Sequence, residues 1–290
     1  MGAAPHDNIV SKCGVLRELP RPLAYVLSGG AASGATQVGM LLALRDAGVA
    51  PDMIIGTSVG AINGVMIAAH PVDGAQRLRD VWATLDREGL LGSSSLRSLP
   101  RLVRTRRHLY RSDGLRSLLN SHLSCRSFDQ LAVPFVAVAT NASAGTTALL
   151  QRGLLEPALL ASAAIPGIFP RVEIDGAWYF DGGITANVPV RQALRLGARS
   201  VIVLNASPPA GERPLPANIA ETIQYAVSLM MRNQAAADAV GDNARPILRL
   251  PQTSPANVGV FDFARSRELI ELAHGVTGAW LAGVAPPVAS

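Results

Sequence analysis

The sequence predicts an α/β fold in which a mostly parallel central sheet is flanked by helices and followed by a C-terminal helical addition. Short apolar runs alternate with segments of helical periodicity, as in proteins built from strand–helix–strand units. Glycine-rich turns stand where two of these runs meet the helix that follows. The chain has 290 residues, 49% apolar and 16% charged, a composition that excludes a disordered protein and supplies a large core.

The predicted strands and helices follow one another in a regular order. Strands are predicted at residues 23–27, 53–55, 133–140 and 200–205. Helices are predicted at residues 36–47, 59–69 and 218–240, and residues 269–280 also have helical spacing. We expect a leader over residues 1–22, a core over residues 23–207 and an extension packed on that core over residues 208–290, joined by a turn-rich stretch at 208–216.

Cysteine content and the N-terminus bear on the cellular compartment. Cys13 and Cys125 are too few for a disulfide framework or a structural zinc site. The N-terminus lacks the basic-then-apolar order of a secretory signal, and no apolar stretch reaches the ~18 residues of a membrane span. We therefore expect a cytoplasmic protein, with peripheral contact at a membrane left open.

The net charge of +5 comes almost wholly from arginine, and the arginines cluster between residues 97 and 116. Leucines are interspersed among them, so this stretch is interpreted either as a surface that lies on an anionic membrane or as a solvated helix or loop face. An aromatic content of 4% leaves few rings for base stacking, and no nucleic-acid partner is expected. The arginines of the membrane interpretation are Arg97, Arg101, Arg104, Arg106, Arg107 and Arg111.

A G-x-S-x-G motif at residues 56–60 lies between a predicted strand and a predicted helix. In that context the motif forms a sharp turn that lifts the serine hydroxyl out of the sheet, and a Cβ on either glycine would clash. The N-terminus of the following helix favours negative charge beside Ser58. Ser58 is therefore a candidate nucleophile, and the alternative is a structural turn capped by serine.

A second glycine-rich turn, at residues 29–34, also joins a strand to a helix. It fails the dinucleotide-binding fingerprint because Ala31 stands where the second glycine is needed, and no Gly-Lys-Ser/Thr follows to make a phosphate loop. Backbone N–H groups at such a turn can form an oxyanion hole. In a parallel sheet this turn and the Ser58 turn would lie at the same edge, beyond the carboxyl ends of the strands.

A third motif, Asp181-Gly182-Gly183, has two interpretations. Asp-Gly is a common hairpin turn, but a serine nucleophile also needs a base, which is either a carboxylate or a histidine. His274 follows Asp181 in the chain, so a Ser58–Asp181–His274 triad is an alternative. His274 lies at helical spacing, which equally indicates a surface or core histidine without a catalytic role.

In this order the three motifs resemble those of the patatin-like phospholipases, whose pattern is G-G-G-x-[KR]-G, then G-x-S-x-G, then D-G-[GA]. Residues 56–63, 161–170 and 187–190 also resemble bacterial members, and the resemblance covers about residues 23–207. It implies a three-layer fold and a Ser–Asp dyad without cofactor or metal, in which Ser58 attacks a lipid ester, Asp181 takes its proton and an acyl-enzyme forms. The resemblance assigns the oxyanion hole to Gly29, Gly30 and Ala31, and its motif glycines are Gly34, Gly56, Gly60, Gly182 and Gly183.

The sequence departs from the family pattern at two positions. Ala31 replaces the third glycine, which costs about 1 kcal/mol if the residue needs a positive φ. Ser33 replaces the Lys or Arg whose charge would help to hold the glycine-rich turn. This second departure leaves open the alternative of a catalytically weak protein of the same fold that binds lipid or regulates a partner.

Overall fold

The computed structural model describes residues 16, 18–85, 110–207, 215–217, 219–239, 245–253 and 262–283, and an eight-stranded sheet runs through them. The strands are β1 (Leu23–Leu27), β2 (Met53–Thr57), β3 (Phe135–Asn141), β4 (Thr146–Leu150), β5 (Val172–Ile174), β6 (Ala177–Asp181), β7 (Ser200–Leu204) and β8 (Ile247–Arg249). The helices are α1 (Gly34–Asp46), α2 (Val59–Ala69), α3 (Gly74–Thr84), α4 (Asp113–His122), α5 (Leu155–Ser162), α6 (Val190–Arg195), α7 (Ile219–Ala239) and α8 (Ser266–Leu281).

Most of the sheet is parallel. Strands β3, β2, β1, β7 and β8 lie side by side in that order, and every neighbouring pair among them is parallel. Strands β4 and β6 pair antiparallel with β3, and β5 pairs antiparallel with β6. The predicted α/β fold with a mostly parallel sheet is confirmed.

Alternate residues of β1 belong to two separate cores, one on each face of the sheet. Leu23, Tyr25 and Leu27 pack into the core that contains α1, α2 and α8. Ala24 and Val26 pack on the other face, in the core that contains α6. Because both faces are covered, all five residues of β1 are buried, as expected for a central parallel strand. The result is three layers, with helices on both sides of the sheet.

Several elements differ from the sequence-based expectation. The helices predicted at 59–69 and 218–240 are found at Val59–Ala69 and Ile219–Ala239, whereas β4, β5 and β6 were not predicted. The β5–β6 hairpin turns at Asp175-Gly176, where both residues have positive φ, as a two-residue hairpin of the favoured type requires. The C-terminal part, expected to be helical, also adds β8 to the sheet beside β7.

Some sequence-based expectations concern residues outside the described ranges. Arg97, Arg101, Arg104, Arg106 and Arg107 lie there, as do most of the leader and residues 208–214 of the turn-rich stretch at 208–216. Within the part of the chain that is described, no helix combines the length and the apolar character needed to cross a bilayer.

The backbones of α1 and α8 touch at Gly39. A Cβ on this residue would lie 2.3 Å from the carbonyl oxygen of Ile270, which is far inside contact distance. Glycine is thus required here by the close approach of two helices, and α8 is seated directly on the helix that carries the glycine-rich turn at its N-terminus.

We predict that Gly39→Ala destabilises the protein by about 1–3 kcal/mol, because a Cβ must push α8 away from α1. Gly275→Ala is the matched control, since Gly275 lies in α8 with no atom within 4 Å of the added Cβ. That control should leave stability unchanged or raise it by up to about 1 kcal/mol. Urea unfolding of the variants measures both effects, and equal stability of the two would contradict the close contact.

Candidate active site

Strands β2 and β6 end against each other on one edge of β3. Residues 137–138 of β3 pair with both β2 and β4, and residues 139–141 pair with both β6 and β4. Strand β4 therefore takes one edge of β3, and the other two strands share the opposite edge. Thr57, the last residue of β2, pairs with Val138, and Asp181, the last residue of β6, pairs with the next residue, Ala139. The carboxyl ends of the two strands therefore meet, and they bring Ser58 and Asp181 to the same place.

Ser58 occupies a strained turn between β2 and α2. Its backbone has φ 55° and ψ −125°, outside the conformations that residues with a Cβ ordinarily adopt. A Cβ on Gly56 would lie 2.3 Å from the Gly60 oxygen, and one on Gly60 would lie 2.4 Å from the Leu27 oxygen, so both flanking glycines are required. The Ser58 N–H donates to Ser162 Oγ at 2.9 Å, which anchors the turn to the end of α5.

Asp181 is completely buried and held by its backbone. Its N–H donates to the Ala164 carbonyl at 3.0 Å, and its own carbonyl accepts a bond from Thr140 Oγ1 at 2.9 Å. Its Oδ1 accepts the Gly183 N–H at 2.7 Å. Gly182 lies so close to β3 that a Cβ there would be 2.3 Å from the Val138 oxygen. Asp181 thus ends a strand and starts a helical turn, and the hairpin interpretation of the Asp-Gly pair is wrong.

Burial is the dominant influence on the pKa of the Asp181 carboxyl. Loss of hydration raises its pKa from 3.8 to about 7, although the Ser58 hydroxyl and the Gly183 N–H both act to lower it. Its Oδ2 is buried and makes no hydrogen bond of regular geometry with the described residues. The Ser58 hydroxyl is thus close enough to act on the carboxyl, although its alignment departs from regular hydrogen-bond geometry. A carboxyl with a pKa near 7 can accept a proton at neutral pH.

The glycine-rich turn at residues 29–34 lies beside Ser58, since a Cβ built on Gly29 would be 3.4 Å from Ser58 Cβ. The Gly29 N–H is engaged, because it donates to the Asn187 carbonyl at 3.2 Å. The N–H groups of Gly30 and Ala31 donate to no group among the described residues. Of the three positions expected to form an oxyanion hole, these two therefore keep a free donor. Ala31 has φ 50°, so alanine there carries the cost expected for a positive φ.

Gly34 and Ser33 connect this turn to α1. Gly34 is the first residue of α1, and a Cβ on it would collide with the Val59 side chain at 2.5 Å. Ser33 is buried at 3% exposure, so no charged side chain holds the turn from that position. Instead Gln37, one turn into α1, donates from Nε2 to the Ser28 carbonyl at 2.9 Å.

A neutral hydrogen-bond network extends from the glycine-rich turn to α3. Asn63 of α2 donates from Nδ2 to the Gly34 carbonyl at 3.0 Å and to Gln37 Oε1 at 2.9 Å. Trp82 of α3 donates from Nε1 to Asn63 Oδ1 at 3.0 Å. Each of these side chains is buried and bonded, so the network fixes the turn without a charge.

An apolar cavity opens from Ser58. It lies between α2, α3, α4 and the end of α5, and Ser58 and His122 are the polar residues among those of the described chain that line it. Such a surface is complementary to a hydrocarbon chain and, apart from Ser58 and His122, offers no partner to a charged group. Its apolar lining consists of Ala31, Val59, Ile62, Met66, Leu78, Val81, Trp82, Leu85, Leu115, Leu118, Leu119, Leu123, Ala163, Ile165, Phe169 and Phe263.

His274 does not reach this site. Its Nε2 lies 2.8 Å from Asp46 Oδ2, at the C-terminal end of α1, and both side chains are partly exposed. Because the glycine-rich turn lies at the opposite end of α1, about 18 Å of helix separates the pair from it. The alternative of a Ser58–Asp181–His274 triad is therefore wrong in this structure.

Several polar residues of the site were missed as individual residues by sequence reasoning. Ser162 and Asn187 fall inside the stretches that carry the family resemblance, which was the available signal. Asn63 likewise ends the stretch 56–63 that carries the resemblance. Gln37 gave no signal, because a single amide on an apolar helix reveals its partners only once the helices are packed. All four side chains are buried and hydrogen-bonded.

The site matches known proteins in sequence. A family model described as "Patatin-like phospholipase" matches residues 25–194, a stretch that includes both Ser58 and Asp181. "Patatin-like phospholipase domain-containing protein 7" of Mus musculus is 31% identical over 186 residues, which are 63% of this chain and 13% of that protein. An uncharacterized NTE family protein of Mycobacterium tuberculosis is 31% identical over 199 residues, which are 69% of this chain and 52% of that protein.

The chain spans about half the length of the mycobacterial relative and a small fraction of the mouse one. Among solved structures, the crystal structure of VipD from Legionella pneumophila aligns with a TM-score of 0.48 at 14% identity, covering 91% of this chain and 67% of that chain.

The raised pKa of Asp181 predicts how stability depends on pH. Between pH 4 and 7 the folded protein holds a proton on Asp181 that the unfolded chain has lost, so this residue lowers stability as pH rises through that window, with no further change above it. Asp181→Asn removes this pH-dependent loss of stability, because asparagine does not ionise. We predict that the variant gains stability over the parent as pH rises from 4, reaching about 4 kcal/mol at pH 8, measured by urea unfolding. A difference independent of pH would contradict the raised pKa.

Proposed function

This chain belongs to the patatin-like phospholipase family, and from that premise we propose that it is a serine acyl hydrolase that cleaves carboxyl esters of lipids. The observation that carries the proposal is the position of Asp181, a fully buried carboxyl with a pKa of about 7, beside the hydroxyl of Ser58. A group of that basicity can take the serine proton at neutral pH without a histidine.

The first half of the reaction forms an acyl-enzyme. Ser58 Oγ attacks the ester carbonyl carbon while the Asp181 carboxylate accepts the hydroxyl proton. Negative charge that develops on the carbonyl oxygen is stabilised by the free N–H groups of Gly30 and Ala31. The tetrahedral intermediate then expels the alcohol, which takes the proton from Asp181, and the acyl group stays on Ser58. Water hydrolyses this ester in the second half of the reaction.

The substrate class follows from the cavity that opens at Ser58. Its lining of apolar side chains fits the hydrocarbon chain of an acyl group, whose carbonyl then lies between the Ser58 hydroxyl and the free N–H groups. His122 stands at an exposed end of α4, where a polar headgroup or solvent meets the cavity. A phospholipase A or lipid esterase activity accords with this arrangement.

The alternative of a catalytically weak lipid-binding or regulatory protein was motivated by Ser33. The basic residue of the family pattern would hold the glycine-rich turn by its charge. In this chain Gln37 and Asn63 hold the same turn through neutral hydrogen bonds. Loss of the charge is thus compatible with an ordered oxyanion hole, which favours the enzyme.

We take residues 23–207 as the catalytic core and residues 208–290 as an extension packed on it. Two contacts support this division. Strand β8 of the extension pairs with β7 of the core, and α8 packs on α1 at Gly39.

The arginine cluster supports a further proposal, peripheral contact with an anionic membrane. Arg111 is exposed and pairs with Asp113 at the start of α4. The apolar face of α4, which includes Leu115 and Leu119, lines the cavity. A basic segment that precedes this helix in the sequence and binds an anionic bilayer would place the cavity next to the membrane that holds the substrate.

Substitution of either member of the Ser–Asp pair should abolish activity. We predict that Ser58→Ala and Asp181→Asn each reduce hydrolysis of a short p-nitrophenyl ester by about 10³-fold or more, because nucleophile and base act as a unit. His274→Ala, whose partner is Asp46 at the far end of α1, is the matched control and should retain activity. A folded Asp181→Asn variant that keeps its turnover would refute the pairing.

A fluorophosphonate probe separates the enzyme from the catalytically weak alternative. An active nucleophile forms a covalent adduct on Ser58 that peptide mass spectrometry locates. If the purified wild-type protein binds lipid but gives no adduct, the weak alternative is correct.

Membrane contact through the arginine cluster predicts electrostatic binding. Binding to liposomes should increase with the fraction of anionic lipid and decrease as salt is raised. The variant Arg104→Ala/Arg106→Ala/Arg107→Ala should bind more weakly than the parent, in a sedimentation assay. Binding that is insensitive to both salt and this substitution would rule out the contact.

A further inference from the structure

Asn187 is a buried amide next to the Ser58–Asp181 pair that the reaction described above does not use. It follows the helical turn that begins after Asp181, and it is 1% exposed. Its Nδ2 donates to Ser207 Oγ at 2.8 Å and to the Met231 carbonyl at 3.3 Å. A carbonyl can only accept, so the Met231 bond fixes which end of the amide carries hydrogen. The other end, Oδ1, is therefore an acceptor.

Asn187 Oδ1 faces the catalytic pair. A Cβ built on Gly29 would lie 2.5 Å from this oxygen and 3.4 Å from Ser58 Cβ. A Cβ built on Gly183 would lie 3.1 Å from it and 3.0 Å from Asp181 Oδ1. Asn187 Oδ1 thus borders the small space shared by the nucleophile and the carboxyl.

Two acceptors without regular donors belong to the groups around this space, one on Asn187 and the other on the Asp181 carboxyl. Asn187 Oδ1 and Asp181 Oδ2 are both buried, and neither accepts a hydrogen bond of regular geometry from the described residues. In the free enzyme the Ser58 hydroxyl acts on the Asp181 carboxyl. In the acyl-enzyme, Ser58 Oγ is an ester oxygen without a proton, and both acceptors then need a donor. A water molecule carries two O–H donors, one for each oxygen.

We propose that Asn187 Oδ1 and Asp181 Oδ2 together hold the water that hydrolyses the acyl-enzyme. The proposal rests on the proposed acyl hydrolase function. One O–H of the water points to Asp181 and the other to Asn187, which directs an oxygen lone pair at the acyl carbon. Asn187 then positions the second nucleophile of the reaction in the way that the turn at Ser58 positions the first.

The step balances without any further reactant. The water oxygen bonds to the acyl carbon while Asp181 takes one of its protons, and the carbonyl oxygen becomes an oxyanion at Gly30 and Ala31. When the intermediate collapses, the carbon–oxygen bond to Ser58 breaks. Ser58 Oγ takes the proton from Asp181, and the carboxylic acid leaves.

Acylation does not need the hydrogen bond between the water and Asn187 Oδ1. In that half of the reaction the nucleophile is covalently part of the chain, and its turn is fixed by the bond from Ser58 N–H to Ser162 Oγ. Loss of Asn187 Oδ1 should therefore act on deacylation alone, whereas a general disturbance of the site would slow both steps.

Pre-steady-state hydrolysis of a p-nitrophenyl ester measures the two steps separately. In Asn187→Ala, acylation should stay within threefold of the wild-type rate and deacylation should fall tenfold or more. The acyl-enzyme then accumulates, giving a burst of p-nitrophenol and an added mass on Ser58. The matched control, Ser207→Ala, removes the partner of Asn187 Nδ2 but leaves Oδ1, and should keep the wild-type ratio of the two rates. Equal losses of both rates in Asn187→Ala would overturn the proposal.

The wild-type protein provides a second test, which needs no folded variant. Methanol has a single O–H donor and cannot bond both acceptors, so per mole it should compete poorly with water for the acyl-enzyme. The product ratio of methyl ester to free acid reports this competition, and preferential transfer to methanol would overturn the proposal. If the proposed acyl hydrolase function itself were wrong, the result would be distinguishable. A wild-type protein that forms no acyl adduct on Ser58 would give neither methyl ester nor free acid.

Discussion

The edge of β3 opposite β4 is occupied by two strands that run toward each other, first β2 and then β6. Neither strand can extend further, because the other fills the edge from the next residue onward. The backbone must therefore leave the sheet sharply at both ends, at the strained Ser58 turn and at the helical turn after Asp181. Two residues far apart in the chain are brought together by sheet pairing, and their side chains meet where the pairing stops.

This position also explains the chemistry of the pair. The meeting point lies within the sheet, so the Asp181 carboxyl is cut off from water and its charged form is disfavoured. Hydrogen bonds offset only part of this loss of hydration. The Gly183 N–H bonds Oδ1, and the Ser58 hydroxyl acts on the carboxyl without regular alignment. A carboxyl that is poorly stabilised as an anion is a stronger base, and the same burial that costs stability prepares it to accept a proton. The surrounding polar groups, from Gln37 to Trp82, are neutral and bonded to one another, so they add no charge that would reverse this effect.

Local sequence signals predicted the parallel part of the fold well. β1 is an apolar run between Pro22 and Ser28, and α2 is an apolar segment, interrupted by Asn63, between Ser58 and His70. The ends of both elements were correctly placed. The short strands β5 and β8 have three residues each, too few for a periodicity to be recognised. β6 was missed because its signal, an aromatic run before Asp-Gly, also fits a turn. The motifs identified the candidate nucleophile and carboxylate, but the engagement of Gly29 with Asn187 and the neutral network around Gln37 depend on packing between distant segments. Those contacts have no signature in one sequence.

The pH dependence of acylation tests the central claim most directly, since the claim is that a buried carboxyl, rather than a histidine or an exposed acid, activates Ser58. The second-order rate of fluorophosphonate adduct formation should rise with pH and level off, with an apparent pKa of about 7, because Asp181 must be ionised to take the proton. The His274→Ala variant should give the same profile. A rate that is independent of pH from 5 to 9, or that follows an ordinary carboxyl with a pKa near 4, would contradict the account.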